Sequence, residues 1–132
     1  MTMRPRGVLE ASLYVDDLAA AESFYREVLG LELHSRQEGR HVFFRCGTTM
    51  VLLFEPHATD DDDESVPPHG CDGPGHLCFT VAKDELQAWR EQLGRHGVAI
   101  EQEVEWPHGG HSIYFRDPAG NSLELATPEL WQ

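Results

Sequence analysis

The chain has 132 residues, 40% of them hydrophobic and 25% charged, and its formal net charge is −13. A chain of this length and composition can form one globular domain with a buried core and no disulfides, and no stretch approaches the ~20 apolar residues that span a bilayer. Its ten lysine and arginine residues are scattered, which disfavours nucleic acid and membrane surfaces as partners because both require clustered positive charge.

The chain opens with residues 1–6, which lack the apolar core of a signal peptide, so we expect a cytoplasmic protein. Residues 8–15 then alternate between apolar and mixed positions. This alternation predicts a β-strand with one face towards a helix and the other towards a cleft. The mixed face of the strand holds Glu10, Ser12 and Tyr14.

A helix is predicted over residues 18–29, where apolar side chains recur at helical spacing. Asp16 or Asp17 can cap its start, and Gly30 stands where a left-handed residue commonly ends a helix. Turn residues then separate three short strand candidates, near 31–37, 41–46 and 49–55.

Residues 56–74 connect the two halves of the chain and show no hydrophobic period. The acidic run from Asp60 to Glu64 lacks the spaced ligands and the glycine of a calcium-binding loop, so we interpret this segment as solvated and mobile. The three cysteines of the chain form no CxxC pair, which favours reduced thiols over a disulfide framework or a thiolate zinc site.

The second half of the chain repeats the pattern of the first. Residues 75–81 predict a strand in which His76, like Glu10, lies five positions before a valine and on the mixed face. A helix is predicted over residues 84–96, and three strand candidates follow, near 98–105, 111–116 and 121–126. Because each half reads strand–helix–strand–strand–strand, we predict an α+β fold of two tandem βαβββ modules.

Four segments carry a family resemblance: Leu13-Tyr-Val-Asp-Asp-Leu18, Ser23-Phe-Tyr-Arg-Glu-Val-Leu-Gly-Leu31, Gly75-His-Leu-Cys-Phe-Thr-Val81 and Tyr114-Phe-Arg-Asp-Pro-Ala-Gly-Asn-Ser-Leu-Glu-Leu125. In this order and at these spacings they resemble the vicinal-oxygen-chelate superfamily, which includes glyoxalase I, bleomycin-resistance proteins and extradiol dioxygenases. The resemblance implies two modules that form an open, barrel-like cleft around a divalent ion and a small-molecule substrate. Many small members are homodimers, so a homodimer is expected.

The resemblance also implies the domain organisation. The whole chain, residues 1–132, is expected to be a single vicinal-oxygen-chelate domain. Its parts are module one at about 8–56, a loop at about 57–73 and module two at about 74–128.

The metal ligands of the family match Glu10, His76 and Glu124 of this chain. Glu124 lies in an otherwise apolar strand, where a carboxylate needs a partner. Two carboxylates and one imidazole suit manganese, iron, nickel or zinc, and three protein ligands leave positions open for substrate. Other interpretations remain open: Glu10 exposed, His76 hydrogen-bonded in the core, or Glu124 paired with Arg45 or Arg116.

Glyoxalase I has a fourth ligand that this sequence does not indicate. Alignment of Pro56 with Pro128 puts Leu52 opposite Glu124 and turns Glu55 to the other face, although a shift of one residue would reverse this. The candidates for the substrate pocket are Ser12, Tyr14, Leu52, Trp106 and Tyr114, and further cleft candidates are His69, His108 and His111.

These features predict a metal-dependent lyase or isomerase of the glyoxalase type, in which Glu10 or Glu124 carries the proton of an acidified C–H bond. Three alternatives stay open. A metal-free protein that sequesters a drug or metabolite usually lacks the ligand set, whereas an extradiol dioxygenase usually presents two histidines and one carboxylate to iron. Thiol transfer of the fosfomycin type would need histidine in place of Glu10 and a cationic cleft.

Overall fold

The computed structural model describes residues 2–59 and 66–132, so the acidic run from Asp60 to Glu64 lies outside the described residues. The chain divides into two compact units, Met1–Asp72 and Gly73–Gln132. Each unit has a four-stranded mixed sheet and a ten-residue α-helix, which confirms the predicted α+β fold of two βαβββ modules. No helix within 2–59 and 66–132 is long and apolar enough to cross a membrane.

Unit 1 contains β1 (Glu10–Tyr14), α1 (Leu18–Glu27), β2 (Glu32–Gln37), β3 (His41–Cys46) and β4 (Thr49–Phe54). Its strand order is β1-β4-β3-β2, with β1 parallel to β4 and the other pairs antiparallel. Of the two candidate caps, Asp17 caps α1, because its carboxylate accepts the N–H of Ala20 at 3.0 Å. The helix is shorter than predicted because Leu31 N–H bonds back to the Tyr25 carbonyl and the intervening Gly30 has φ 70°.

Unit 2 contains β5 (His76–Thr80), a 3-10 helix (Lys83–Glu85), α2 (Leu86–Arg95), β6 (Gln102–Glu105), β7 (His111–Arg116), β8 (Ser122–Ala126) and a final 3-10 helix (Pro128–Trp131). Its strand order is β5-β8-β7-β6, with β5 parallel to β8. The predicted strand over residues 98–105 forms only in its second half. Val98 N–H bonds to the Leu93 carbonyl at 2.9 Å and so belongs to the end of the helix.

In each unit the apolar positions of the strands form a core on one face of the sheet. In unit 1, Tyr25 of α1 is fully buried and stacks on Phe44 of β3 with ring centroids 5.8 Å apart. In unit 2 the fully buried large apolar side chains are Leu93, Ile113, Phe115, Leu123 and Leu125. Because strand side chains alternate between faces, the other face of the unit 2 sheet is left for polar residues, whereas that of unit 1 also carries Leu52 and Phe54, which are buried.

The buried face of unit 2 ends at a cluster of charged side chains around Glu103 of β6. This carboxylate accepts hydrogen bonds from Arg90 of α2, the shortest at 2.9 Å, and lies 2.7 Å from Nε2 of His111. Hydrogen bonding to Arg90 is the main cause that holds the pKa of Glu103 below its ordinary value, and the bond to His111 adds to it. Glu103 therefore stabilises the fold where its carboxylate is ionised.

We expect Glu103→Gln to lower the free energy of unfolding at pH 7 by about 1 kcal/mol, since the ion pair between Arg90 and Glu103 is only partly exposed. The folded pKa is the lower one, so this contribution is full above the unfolded pKa of about 4.3 and is lost as the pH falls through the folded pKa. Urea denaturation of parent and variant between pH 7 and pH 2 measures the difference. Glu105→Gln, on the same strand, is the control, and a difference that stays constant with pH would contradict the prediction.

Candidate metal centre

One face of the unit 2 sheet gathers polar side chains from three adjacent strands. The register places Cys78 of β5 and Tyr114 of β7 on either side of Glu124 of β8. His76 lies two residues before Cys78 and Ser112 two residues before Tyr114, so both point to the same face. The pairing of the strands therefore brings together two predicted metal ligands, His76 and Glu124.

His76 and Glu124 face each other with two acceptor atoms. Nε2 of His76 lies 3.3 Å from Oε1 of Glu124, and Nδ1 lies 3.0 Å from the backbone carbonyl of Ser122. A carbonyl oxygen only accepts, so Nδ1 carries the hydrogen, and Nε2 of the neutral imidazole then presents a lone pair. A lone pair opposite a carboxylate needs a cation between them, either a proton on Nε2 or a metal ion.

The separation of these two atoms fits a metal ion. Metal–nitrogen and metal–oxygen bonds of about 2.0–2.2 Å put neighbouring ligand atoms roughly 3.0–3.4 Å apart for angles between octahedral and tetrahedral, and the observed distance is 3.3 Å. Ligating histidines usually donate their second N–H to a backbone carbonyl or carboxylate, as Nδ1 of His76 does to Ser122. The His76 side chain is 51% exposed and that of Glu124 only 7%, so the pair can be reached from solvent on the histidine side.

The second oxygen of Glu124 is held by a chain of donors. Ser112 Oγ donates to Oε2 of Glu124 at 2.5 Å, and Trp106 Nε1 donates to Ser112 Oγ at 2.9 Å. Arg116, the alternative partner in this unit, instead donates to Glu101 and to the Gly120 carbonyl. The alternative interpretation from the sequence, in which Arg116 pairs with Glu124, is therefore wrong.

Two further side chains beside Glu124 stay protonated near neutral pH. Burial raises the pKa of the Cys78 thiol to about 12, with the Glu124 carboxylate as the second cause, although Cys78 as a whole residue is exposed. Burial, and next the charge of Glu124, also raises the pKa of Tyr114. The Tyr114 ring stacks on that of His76, with centroids 6.3 Å apart. Glu124 is thus surrounded by neutral hydroxyl and thiol groups.

Glu10, the third predicted ligand, is the exposed first residue of β1 in unit 1. Among the described residues, no group of three or more histidine, cysteine, aspartate or glutamate side chains could hold a metal ion. The structure thus pairs His76 with Glu124, while Glu10 as a ligand stays a prediction.

The register of unit 1 agrees with the alignment made from the sequence. Leu52 of β4 pairs with Ser12 of β1 as Glu124 pairs with Cys78, so Leu52 occupies the place equivalent to Glu124. Leu52 is buried, with 8% exposure. Glu55 follows the last residue of β4 and, by alternation, does not share the face of Leu52.

Tyr14, a further pocket candidate of unit 1, adjoins an aromatic cluster. The Tyr14 hydroxyl lies 2.6 Å from Nδ1 of His69, which the connecting segment contributes. Phe54 of β4 packs edge-on against His69, with ring centroids 4.8 Å apart. His69 is fixed by Thr59, whose buried side chain donates to the His69 carbonyl at 2.8 Å.

Sequence reasoning missed two residues that support this centre, Asp117 and Asn121. Asp117 is 4% exposed and accepts the N–H groups of Ala119 and Asn121. Asn121 is fully buried, and its side-chain oxygen accepts Gly75 N–H at 2.7 Å, directly before His76. The motif Asp-Pro-Ala-Gly-Asn indicated a turn, and its link to the strand of His76 depends on the parallel pairing of β5 with β8.

Residues 7–125 match the model of the Glyoxalase/Bleomycin resistance protein/Dioxygenase superfamily. The chain is 35% identical over 119 residues to glutathione transferase FosA of Serratia marcescens, covering 90% of this chain and 79% of the relative. It is 29% identical over 128 residues to metallothiol transferase FosB of Shouchella clausii, with 94% and 82% covered. A crystal structure of lactoylglutathione lyase from Agrobacterium tumefaciens matches with 42% identity, a TM-score of 0.93 and 98% of both chains covered.

Proposed function

The chain belongs to the Glyoxalase/Bleomycin resistance protein/Dioxygenase superfamily, and from this we propose that it is a metal-dependent enzyme of the glyoxalase type. The observation that carries the proposal is the His76–Glu124 pair, whose Nε2 and Oε1 atoms lie 3.3 Å apart, a separation that fits two ligands of one metal ion. Two relatives, FosA and the lactoylglutathione lyase, have names that specify glutathione chemistry. We therefore propose a glutathione conjugate of a small 2-oxoaldehyde as the substrate of a cytoplasmic homodimer.

His76 and Glu124 would hold the ion, and we propose Glu10 as the third ligand. A divalent ion there would polarise a substrate carbonyl and make the adjacent C–H group more acidic. The neutral imidazole and the carboxylates suit manganese, iron, nickel or zinc. The single domain proposed for residues 1–132 would contain all three ligands.

The isomerisation needs a base that takes a proton from one carbon and returns it to the next. Glu124 and Glu10 are the candidates, and their surroundings differ. Glu124 accepts a hydrogen bond from Ser112 and is only 5% exposed, so its carboxylate is held in place. Glu10, by contrast, is exposed. These contacts favour Glu124 as a fixed ligand and Glu10 as the group that carries the proton.

The similarity to FosA supports a second candidate, the addition of a glutathione thiol to a small electrophile. A phosphonate electrophile needs several cations for its charge. Arg116 lies on the same sheet face as Glu124, but its guanidinium group already pairs with Glu101 at 3.0 Å. A substrate whose reacting carbonyl group is neutral therefore agrees better with this face than a phosphonate does.

The test is metal analysis and turnover of protein purified without chelator. We expect a stoichiometric divalent metal in the parent, its loss in Glu10→Ala and His76→Ala, and conversion of methylglyoxal with glutathione into a thioester. Parallel assays measure fosfomycin with glutathione and catechol-dependent oxygen uptake. Turnover in one of those instead would replace the proposal by thiol transfer or by extradiol dioxygenase chemistry. A parent protein without metal would favour a metal-free binding protein.

A further inference from the structure

We propose that Trp106 and Ser112 are positioning residues that make Glu124 bind a metal ion through one oxygen only. Ser112 ties up Oε2, and Oε1 is left facing Nε2 of His76. This inference rests on the proposed metal site and adds a specific role for two residues outside the ligand set. A ligand that uses one oxygen leaves one more coordination position for the oxygens of the substrate.

The direction of each hydrogen bond in this chain is fixed by chemistry. The indole Nε1–H of Trp106 can only donate, so Ser112 Oγ accepts it at 2.9 Å. A carboxylate oxygen only accepts, so the single hydroxyl hydrogen of Ser112 goes to Oε2 of Glu124 at 2.5 Å. Trp106 thereby leaves Ser112 oriented with its hydrogen towards Glu124.

Burial makes this arrangement difficult to replace. Ser112 is 0% exposed and Glu124 is 5% exposed, so solvent cannot readily substitute for the hydroxyl. The residues paired with Ser112 on the two neighbouring strands are Val104 and Ala126, and neither has a polar side-chain atom. If Ser112 were alanine, Oε2 would lose the hydroxyl that holds it, and Glu124, which also bonds to Tyr114 and Cys78, could turn both oxygens towards the cation.

Trp106 is itself held by the loop that carries it. The backbone N–H of Trp106 donates to the Gly110 carbonyl at 3.0 Å, and the backbone carbonyl of Trp106 accepts the N–H of Gly109 at 3.0 Å. Gly110 has φ 97°, and a Cβ at this position would lie 2.7 Å from the backbone nitrogen of Leu130. The final 3-10 helix (Pro128–Trp131) therefore lies directly behind the loop and limits the movement of Trp106.

The test measures binding of Zn²⁺ to the metal-free protein by chelator competition, and the visible absorption of the Co²⁺ form. We expect Ser112→Ala to weaken Zn²⁺ binding about 10–100-fold, with Trp106→Phe weakening it in the same direction but less. The Co²⁺ spectrum should change in both variants because the coordination number rises when Glu124 chelates. In the double variant, Trp106→Phe should add nothing to Ser112→Ala, since the indole acts through the serine.

Matched controls are Ser23→Ala, on the exposed side of α1, and Trp131→Phe, whose tryptophan is 89% exposed. If the parent binds Zn²⁺ and both Ser112→Ala and Trp106→Phe bind it within twofold with unchanged Co²⁺ spectra, the positioning role is wrong while the metal site stands. Fully additive effects in the double variant would also overturn it. A parent that binds no Zn²⁺ refutes the proposed function itself. Should Ser112→Ala fail to fold, Trp106→Phe keeps the serine and still decides the outcome.

Discussion

Glu124→Ala is expected to remove stoichiometric metal and to lower kcat/KM for the glutathione conjugate by about 10²–10⁴-fold, because the ion that is lost with this ligand would supply several kcal/mol of charge stabilisation. The carboxylate faces His76 at 3.3 Å and lies on an inner strand of the sheet. Neither Cys78 nor Tyr114 beside it can replace the charge, because burial, the largest cause of the shift, raises the pKa of both groups even without Glu124. Metal analysis and steady-state kinetics measure the two losses.

Two variants separate the role of the charge from that of the shape. Glu124→Gln keeps an oxygen that can accept from Ser112, so we expect a folded protein that still lacks metal. Glu91→Ala removes an exposed carboxylate of α2 and should leave metal content and kinetics unchanged. Full metal content and activity in Glu124→Ala would rule out the proposed centre.

Asp117→Ala is expected to lower the free energy of unfolding by about 3 kcal/mol, because it leaves buried donors without an acceptor. The Asp117 carboxylate is 4% exposed and accepts Ala119 N–H at 3.0 Å, Asn121 N–H at 2.9 Å and the Asn121 side-chain amide at 2.9 Å. These bonds shape the turn between β7 and β8. Urea denaturation at pH 7 measures the loss.

The effect of Asp117→Ala should extend to the metal centre. Asn121, which Asp117 orients, accepts Gly75 N–H at 2.7 Å and so fixes the start of β5 next to His76. We therefore expect weaker metal binding along with lower stability. Asp16→Ala, which removes an exposed carboxylate that does not cap α1, should change stability by less than about 0.5 kcal/mol. A loss below 1 kcal/mol in Asp117→Ala would show that water or a shifted backbone replaces these bonds.

The fold could be predicted from the sequence because both halves repeat one pattern of alternation and helical spacing. The ends of elements were less predictable. Residues 98–101 have strand-like composition, yet Val98 N–H closes the end of α2 at Leu93, so β6 begins only at Gln102. The predicted helix over 84–96 likewise begins as the 3-10 helix Lys83–Glu85. Such boundaries depend on single backbone hydrogen bonds, which periodicity does not reveal.

The candidate site could be predicted only in part. His76 was identifiable because it stands at the place that Glu10 occupies in the first half of the chain. Glu124 was identifiable because it matches a ligand position of the superfamily and lies in an otherwise apolar strand. The role of Ser112 was not identifiable from the sequence. Ser112 pairs with Ala126 on the neighbouring strand and contacts Glu124 diagonally, two residues away from that pair. Trp106 lies in a loop with no period and was expected to line the substrate pocket. In the structure its indole N–H donates to Ser112, a contact that the sequence did not indicate.

The strand order has a consequence for synthesis of the chain on the ribosome. In each unit the last strand made, β4 or β8, inserts between the first strand and the third and becomes an inner strand of the sheet. While β8 is still inside the ribosome, the only strand pair that a nascent unit 2 can form is the β6–β7 hairpin, and β5 has no strand to pair with. His76 therefore meets Glu124 only in the final step of assembling that sheet, so the nascent chain cannot capture a cation at this pair before the sheet is complete.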